Sequence, residues 1–443
     1  MDDVREPLAA GDPLARRRFL QTLGALAAAP LVGCATDPSG SSSTAPELAR
    51  HGDSKTAPAT GSNPASTALA SPAATHDYGE AGRAFDALLA SLARVRDGQL
   101  TEAFAITSRQ DVAEGHRHLL HVLEQALLVE LEAQPTHPLA QHQVSPVRKS
   151  NGDNADAIYY STPLAPGRTY RLRSNQAGAA YSSVTVEAGG ARGGYAGRIA
   201  GVLNDTQYDI AADGRFEIVL GGKPRPRNWI PLPDDVSRIS TRHYFENLRS
   251  AATDPLLHVP MEIECLDPQP PPRPPNDASI AAAIRRIETY VRTRTLEAPR
   301  PDPMPAWVST TPNVFNPPQK PGSLAYAAAD AAYTMAPYAI GPDEALVVTG
   351  RFPSCRFANV TLWNRYGQSY DYMNRRVSLN RRQIQFEADG SYRIVIAHRD
   401  PGVPNWLDGE GRETGQVYWR IMLPEADVET PKAALVPLAS LRR

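Results

Sequence analysis

Apolar residues recur every three or four positions in two stretches after residue 77, and this spacing predicts amphipathic helices. The first helix covers residues 78–95. The second begins near Ser108 or Asp111, because either side chain can cap a helix N-terminus. Pro135 ends it, since proline lacks the backbone N–H that a helix interior needs. We therefore predict a small helical segment ahead of the rest of the folded chain.

A third helix is predicted after residue 276, where four apolar residues share one face: Ile280, Ile284, Ile287 and Val291. Asp277 is its candidate N-cap. The proline-rich run before it, at 267–275, suits neither helix nor sheet and predicts a semi-rigid spacer. We expect this linking helix to pack between two β domains.

Alternating apolar and polar residues dominate the remaining sequence and predict β-strands. Two stretches, 213–235 and 389–412, each start with an Asp-Gly turn and continue with alternating apolar residues. Both then run through a Pro-rich loop to an Asn-Trp pair. The offset of 176 residues between Asp213 and Asp389 also relates two earlier pairs of strand-like segments. We interpret this regularity as a tandem duplication of a β domain.

The first 34 residues are similar to an export signal. Arg16 and Arg17 precede an alanine-rich apolar stretch that is too short to span a membrane, and a lipoprotein box ends at Cys34. The arrangement resembles a twin-arginine signal. It implies export, a lipid on Cys34 and a membrane-anchored protein that faces the periplasm or the cell exterior. The alternative is a soluble secreted protein cleaved near residues 27–29.

Composition and net charge indicate the state of the segment after the signal and the kind of partner to expect. Residues 35–76 are rich in Ser, Thr, Ala, Pro and Gly, with few large apolar side chains, which predicts a disordered tether. The net charge of −2 argues against a dedicated nucleic-acid binder, so no nucleic-acid partner is expected. Cys265 and Cys355 would face an oxidising compartment, which permits a disulfide, and the sequence leaves open whether one forms.

The second repeat carries a family resemblance. The segments EALVVTGRFP, LWNRY, NRRVSLNRRQ and HRDPGVPNWLD lie between residues 344 and 408. They resemble the family known as domain of unknown function 1214, over residues 344 to about 438. The first repeat, with GDN before its strands and NWIPLP after them, is similar to a more diverged copy. The resemblance implies jelly-roll-like β-sandwiches, but it supplies no reaction.

We therefore predict a mainly β protein with two jelly-roll-like β-sandwich domains, a small N-terminal helical segment and a linking helix. The predicted boundaries are signal 1–34, tether 35–76, helical segment 77–140, first β domain 141–267, Pro-rich linker and helix 268–300, and second β domain 301–443.

Candidate chemistry concentrates in the second repeat. The chain has no GxSxG elbow, HExxH helix or P-loop. His398 and Asp400 lie two apart in an extended segment, so both could face one side as an acid–base pair. The candidate ligand-binding residues are Arg399, Asn405, Trp406, Asp408, Arg375, Arg376 and Trp363. The structural alternative is that the Asp and Arg side chains brace a loop while Trp406 plugs one end of the sandwich. Because both repeats contain the Asn-Trp pair, a role in folding is favoured for it.

Two other motifs are better explained structurally. His116, His118 and His121 lie on one predicted helix, but only the last two have a metal-binding spacing and no carboxylate completes a set, so no metal site is predicted. The glycine-rich loop at 187–197 lies between β patterns rather than before a helix, which favours a hairpin connection over a phosphate cradle.

These observations favour a non-catalytic envelope protein that binds a small molecule or glycan through the second β domain. The alternatives are an envelope enzyme that uses His398 and Asp400, and a structural module that docks a protein partner. The sequence identifies no cofactor and no particular protein partner.

Overall fold

The computed structural model describes residues 77–441 except 105, 107, 151 and 300. The predicted export signal, with Arg16, Arg17 and Cys34, and the tether at 35–76 lie outside the described residues. In the part of the chain that is described, no helix has the length and apolarity needed to cross a membrane.

Three helices pack on one another beside the first sandwich: α1 (Gly79–Gln99), α2 (Arg109–Ala126) and α3 (Asp277–Thr293). Ser108 caps α2, as predicted, and its side chain accepts a 3.0 Å hydrogen bond from the Asp111 amide. A π-helical turn, Leu127–Leu131, extends α2. The shared core of the three helices contains Leu88, Val122 and Ile287.

Two expectations about α3 were wrong. The helix packs against α1 and α2 instead of between the β domains, because its apolar face completes their core. Its N-cap is Asn276, whose extended backbone allows a reciprocal capping box with Ser279. Asp277 is already the first helical residue. Its carboxylate instead caps α1, accepting hydrogen bonds from the amides of Glu80 (2.8 Å) and Ala81 (2.9 Å).

The first β-sandwich has nine strands. They are β1 (Gln141–His142), β2 (Ala157–Pro163), β3 (Tyr170–Asn175), β4 (Tyr181–Ala188), β5 (Arg198–Asn204), β6 (Arg215–Leu220), β7 (Trp229–Ile230), β8 (Val236–Tyr244) and β9 (Met261–Cys265). One sheet has the order β1-β2-β8-β4-β5 and the other β7-β6-β3-β9. Their inner faces bury Leu172, Val184 and Ile218 in one core.

The second β-sandwich has eight strands. They are β10 (Ala331–Ala339), β11 (Glu344–Gly350), β12 (Phe357–Trp363), β13 (Ser378–Asn380), β14 (Tyr392–Ala397), β15 (Trp406–Asp408), β16 (Thr414–Met422) and β17 (Lys432–Pro437). The sheets have the orders β10-β16-β12-β13 and β15-β14-β11-β17, and the core between them contains Leu346, Val360 and Trp419. The prediction of a mainly β protein is confirmed.

The two sandwiches share a strand order. The four strands β2-β8-β4-β5 of the first are arranged as β10-β16-β12-β13 are in the second, and β7-β6-β3-β9 as β15-β14-β11-β17. Registers agree as well: Ser183 pairs with Asn204 as Asn359 pairs with Asn380. In each sandwich a short strand that begins with the Trp of the Asn-Trp pair runs parallel to its neighbour.

The sandwiches pack through the outer faces of the sheets that contain β8 and β16. Because successive side chains of a strand point to opposite faces, Ile239 enters the first core while Tyr244 of the same strand faces the second sandwich. The Tyr244 and Phe357 rings lie 5.0 Å apart across this boundary. Amide and carboxylate groups join the domains nearby: Asn359 donates to Asn154 and Asn380 donates to Asp156. The interface is thus a buried surface with polar cross-links.

Candidate functional site

A cavity of about 320 Å³ lies between the two sandwiches. The strand residues in its wall are Tyr159, Tyr160, Ser240, Thr241, Arg242, Met335, Trp363 and Tyr418, and loop residues that include Trp307 and Tyr326 complete it. The volume lies at the lower end of the roughly 300–1,000 Å³ typical of small-molecule pockets. The cavity is therefore suited to a small molecule.

Aromatic rings form one wall of the cavity. Trp363, at the end of β12, stacks on Tyr418 of β16 with ring centroids 4.0 Å apart and planes 20° apart. Trp307 meets the edge of Tyr418 at 6.1 Å. Hydrogen bonding fixes the Trp363 indole further, because its Nε1 donates to the Asp153 carbonyl at 3.2 Å. The result is a rigid surface against which a planar or sugar ring can pack.

Arg242 brings a buried positive charge to the lining of the cavity. Its side chain is 4% exposed. Nη1 donates to the Thr185 hydroxyl at 2.8 Å, and Nη2 donates to the Tyr326 carbonyl at 2.9 Å. Glu187, also buried, lies 3.9 Å from the guanidinium. Burial raises the pKa of Glu187, and the charge of Arg242 opposes that rise.

Arg294 supplies a second guanidinium at the end of α3. It stacks on the Tyr290 ring, 3.5 Å from the centroid, and its Nη2 donates to the Tyr326 hydroxyl at 2.9 Å. Tyr326 therefore holds both arginines, one through its carbonyl and the other through its hydroxyl. Its backbone has φ = 61°, which is unfavourable for a bulky residue. Backbone strain of this kind is common at functional sites.

Asp153 also lines the cavity, but its carboxylate is committed to the domain interface. One oxygen accepts from the Ser369 amide and the other from the Ser369 hydroxyl, both at 2.7 Å. Lys149 donates to the Ser369 carbonyl at 2.6 Å. Burial raises the pKa of Asp153 while Lys149 opposes that rise, and burial lowers the pKa of Lys149. These groups lock the sandwiches together.

The structure separates Trp363 from the other predicted site residues. Trp363 lines the cavity, whereas the rest belong to β15 and the turns beside the other sheet of the second sandwich. His398 and Asp400 are not hydrogen-bonded to each other. His398 Nε2 lies 3.4 Å from the Ile340 carbonyl, and the Asp400 carboxylate accepts from the Gly402 amide at 2.8 Å. His398 and Asp400 are therefore not arranged as a hydrogen-bonded acid–base pair.

Three of the remaining charged candidates, Arg375, Arg399 and Asp408, have side-chain partners within the protein. Arg375 donates to Asp408 at 2.6 Å, and the exposed Arg399 donates to Asp343 at 2.5 Å. Arg376 and Asn405 line a separate cavity of about 300 Å³. Arg375 and Asp408 thus brace the turn, which was the structural alternative for this cluster.

The Asn-Trp pairs have equivalent structural roles in both sandwiches. Asn228 and Asn405 both have positive φ, at 52° and 58°. Their amides bond the backbone on either side, with Asn405 bonding the Gln385 amide at 2.8 Å. Trp229 Nε1 donates to the Gly221 carbonyl and Trp406 Nε1 to the Ala397 carbonyl. This agrees with the predicted role in folding.

The expectation that Trp406 plugs a sandwich end was wrong. The indole is half-buried and packs with Val395, Ala397 and Leu438 on the outer face of its sheet, away from the main core. The cause is strand geometry: Ile394 and Ile396 point inward from β14, so the face that Trp406 covers is the outer one.

The chain is similar to one protein family and to two solved structures, of which the first supports the fold. Residues 343–426 match the model of a family described as a protein of unknown function, DUF1214. A crystal structure of an uncharacterized protein from Burkholderia cenocepacia has a TM-score of 0.71 and 27% identity, covering 81% of this chain and 98% of that one. The VPA0106 protein from Vibrio parahaemolyticus has a TM-score of 0.41 and 11% identity, covering 72% and 98% of the respective chains. No curated protein matches the chain.

The histidines of α2 and the glycine-rich loop have structural partners. His118 stacks on Tyr366 at 5.0 Å, and His121 Nδ1 lies 3.2 Å from the Gln368 amide nitrogen. His116 Nδ1 lies 2.9 Å from the Val112 carbonyl oxygen. The loop joins β4 to the antiparallel β5, so the hairpin prediction is confirmed. Across the described part of the chain, no group of three His, Cys, Asp or Glu residues is placed to hold a metal, and Cys265 and Cys355 are free thiols.

Sequence reasoning missed Arg242, Arg294 and Tyr326. A signal for the first was present in the strand sequence RISTRHYF, because a buried strand that alternates apolar residues with arginine needs polar partners on its second face. No local sequence pattern distinguishes Arg294 or Tyr326 as a candidate site residue. Their role depends on α3 ending where two loops meet the domain interface.

Proposed function

We propose that this protein binds a small ring-bearing molecule in the cavity between its two sandwiches. The observation that carries the proposal is a lining that combines the aromatic wall of Trp307, Trp363 and Tyr418 with the fixed guanidinium groups of Arg242 and Arg294. Binding pockets typically combine such an apolar lining with a few convergent polar groups. This proposal retains the predicted binding role and moves the site from the second domain alone to the interface.

Substitution of two tryptophans tests the location of the site. Trp363→Phe removes an indole from the cavity wall, whereas Trp406→Phe removes one from the cluster first predicted from the sequence. Native mass spectrometry and calorimetry on the full chain measure the binding of benzoate, benzamide and methyl glucoside. We expect Trp363→Phe to weaken the binding of each compound that binds the wild type, and Trp406→Phe to leave it unchanged. Weakening only in Trp406→Phe would place the site in the original cluster.

Thermal unfolding of both variants provides the control for folding, because Trp363 also bonds the Asp153 carbonyl. A wild type that bound none of these three compounds, and neither 4-hydroxybenzoate, indole-3-acetate nor their amides, would contradict the proposal. A catalytic function for His398 and Asp400 is not proposed, since the two side chains have separate partners.

We further propose that the protein is exported by the twin-arginine route and held at the membrane by a lipid on Cys34. Arg16, Arg17 and the box ending at Cys34 support this proposal. Metabolic labelling with a palmitate analogue should label the wild type and leave Cys34→Ser unlabelled. Equal labelling of both proteins would exclude an anchor at this cysteine.

Tandem duplication of one β domain is also proposed. The common strand order and the matching Asn-Trp geometry support it. The family match covers only residues 343–426, so the first sandwich would be the more diverged copy. A family model built from second-sandwich sequences alone should match residues 157–265, and failure to match would count against duplication.

A further inference from the structure

We propose that the ligand of the interdomain cavity is a ring-bearing carboxylate whose anionic group is bound by Arg294. The inference rests on the proposed binding function and deepens it by naming the chemical class. It rests on the charges and hydrogen bonds of the residues that line the cavity.

Among the described residues that line the cavity, three carry a formal charge: Asp153, Arg242 and Arg294. Asp153 lies near Lys149, and Arg242 lies near Glu187, so each of these charges has a counterpart of opposite sign. Arg294 forms no ion pair with a carboxylate of the residues that the structure describes; its partners are the hydroxyl of Tyr326, the carbonyl of Gly193 and aromatic rings. Within the described part of the chain, one positive charge at the cavity therefore has no anionic partner.

The Arg294 guanidinium also has unused donors. An arginine offers five N–H groups. The described hydrogen bonds use Nη2 toward the Tyr326 hydroxyl at 2.9 Å and Nη1 toward the Gly193 carbonyl at a long 3.4 Å. Stacking on Tyr290 fixes the plane of the group. A planar, preoriented guanidinium with free N–H groups suits the two oxygens of a carboxylate.

Arg294 has a structural reason to be a cation as well. It is the C-cap of α3, where the helix dipole favours positive charge. That interaction stabilises the charge but supplies no acceptor for the remaining N–H groups. The left-handed backbone of Tyr326 presents its carbonyl to Arg242 and its hydroxyl to Arg294, which argues that both guanidinium groups are held in place for a purpose beyond capping.

The hydrogen-bonding state of the walls favours a carboxylate over a glycan. A sugar needs many hydrogen-bond partners. Several polar groups of the lining are engaged internally, and the hydroxyls of Ser240 and Thr241 are buried without a hydrogen-bond partner among the described residues. Asp153 is bonded to Ser369, Tyr160 to the Val259 carbonyl, and Gln143 to the Tyr290 hydroxyl. A ligand with one anionic group and an otherwise apolar ring needs few further partners and matches the aromatic wall.

Isothermal calorimetry with matched pairs of ring compounds tests the inference on the full chain. The probes are benzoate and benzamide, 4-hydroxybenzoate and 4-hydroxybenzamide, and indole-3-acetate and its amide. We expect at least one carboxylate to bind the wild type about 10- to 100-fold more tightly than its amide, the difference that a charge-assisted pair can supply. Arg294→Gln should remove this preference.

Arg292→Gln is the matched control, because it removes the same charge near the same helix end from a side chain that does not line the cavity. It should retain the preference for the carboxylate. Tyr326→Phe, which keeps the ring but removes the hydroxyl bonded to Arg294, should reduce the preference even if Arg294→Gln folds poorly.

The outcomes separate this inference from the proposed function. Equal binding of carboxylates and amides, dependent on Trp363, would preserve the binding function and overturn the carboxylate assignment. Binding of methyl glucoside alone would do the same. An Arg294→Gln protein that folds and keeps the preference would also overturn it. If no compound binds the wild type, both proposals fail.

Discussion

At the scale of single residues, the Asn-Trp pairs show how one side chain can set a turn. Asn405 adopts φ = 58°, and its amide makes hydrogen bonds to Gln385 on one side and to the Arg393 carbonyl on the other. Asparagine tolerates the left-handed region better than most residues and can bond the adjacent backbone. The chain can therefore reverse and enter β15 parallel to β14.

We predict that Asn405→Ala lowers the free energy of unfolding by about 2–4 kcal/mol, because three hydrogen bonds are lost and a Cβ-bearing residue without local bonds remains at positive φ. Asn405→Gly should cost about 1 kcal/mol less, since glycine relieves the strain but restores no bond. Urea unfolding measures both values.

Asn374→Ala serves as the control, because Asn374 is exposed and bonds only the neighbouring Asp371 side chain. Its effect should stay within about 1 kcal/mol. Equal losses for Asn405→Ala and Asn405→Gly would show that the positive φ contributes nothing measurable.

At the scale of elements, α1 and α3 are coupled by a shared cap. The Asp277 carboxylate accepts from two backbone amides at the first turn of α1, and these bonds, with that from Ala81 the stronger influence, lower the pKa of Asp277. A group with a depressed pKa contributes its stabilisation above its unfolded pKa and loses it as the pH falls through the folded pKa.

Asp277→Ala should accelerate hydrogen exchange at the Glu80 and Ala81 amides, because it removes their acceptor. In the wild type, the same amides should lose protection relative to the rest of α1 as the pH falls below the usual range of an aspartate. Exchange measured by mass spectrometry on overlapping peptides reports both effects. Asp97→Ala, at the exposed far end of α1, should leave them unchanged; an identical change in both variants would refute the cross-helix cap.

Sequence patterns predicted these elements because the signals are local. Helical periodicity gave α2 and its Ser108 cap, and the Asp-Gly turns located β6 and β14. Asp277 was assigned to the wrong helix because an acidic residue at a helix start looks the same whether it caps its own helix or a neighbour. The structural alternative put Trp406 at one end of the sandwich, because the sequence of a large apolar residue does not reveal which face of its sheet it will cover.

At the scale of the whole molecule, the candidate site exists only where the domains meet. Its wall takes Tyr159 from β2, Trp363 from β12 and Arg294 from the end of α3. Reading each repeat separately made the polar cluster around Asp408 the best candidate, since its members are close in sequence. The cavity residues are far apart in the chain, and each resembles an ordinary strand or helix residue until the sandwiches are packed together.

Burial of Asp156 at the domain interface makes the stability of the protein depend on pH. It is fully buried at the interface, where burial raises its pKa to about 6 although Asn359, Asn380 and Ser250 bond the carboxylate and the charge of Arg420 also opposes the rise. Between pH 4 and 6 the folded protein therefore holds a proton that the unfolded chain has released. Stability from this group is complete below the unfolded pKa and is lost as the pH rises through about 6.

We predict that the wild type loses stability relative to Asp156→Asn as the pH rises from about 4 to about 6, by at most on the order of 3 kcal/mol. The difference between variants is the relevant quantity, because buried His118 and His243, each with a pKa lowered to about 4, act in the opposite sense. Unfolding in urea across this pH range measures it. The exposed Asp234→Asn should parallel the wild type at every pH. A constant difference between the wild type and Asp156→Asn would mean that Asp156 keeps the same protonation in the folded and unfolded chain, and that the interface does not bury a titrating charge.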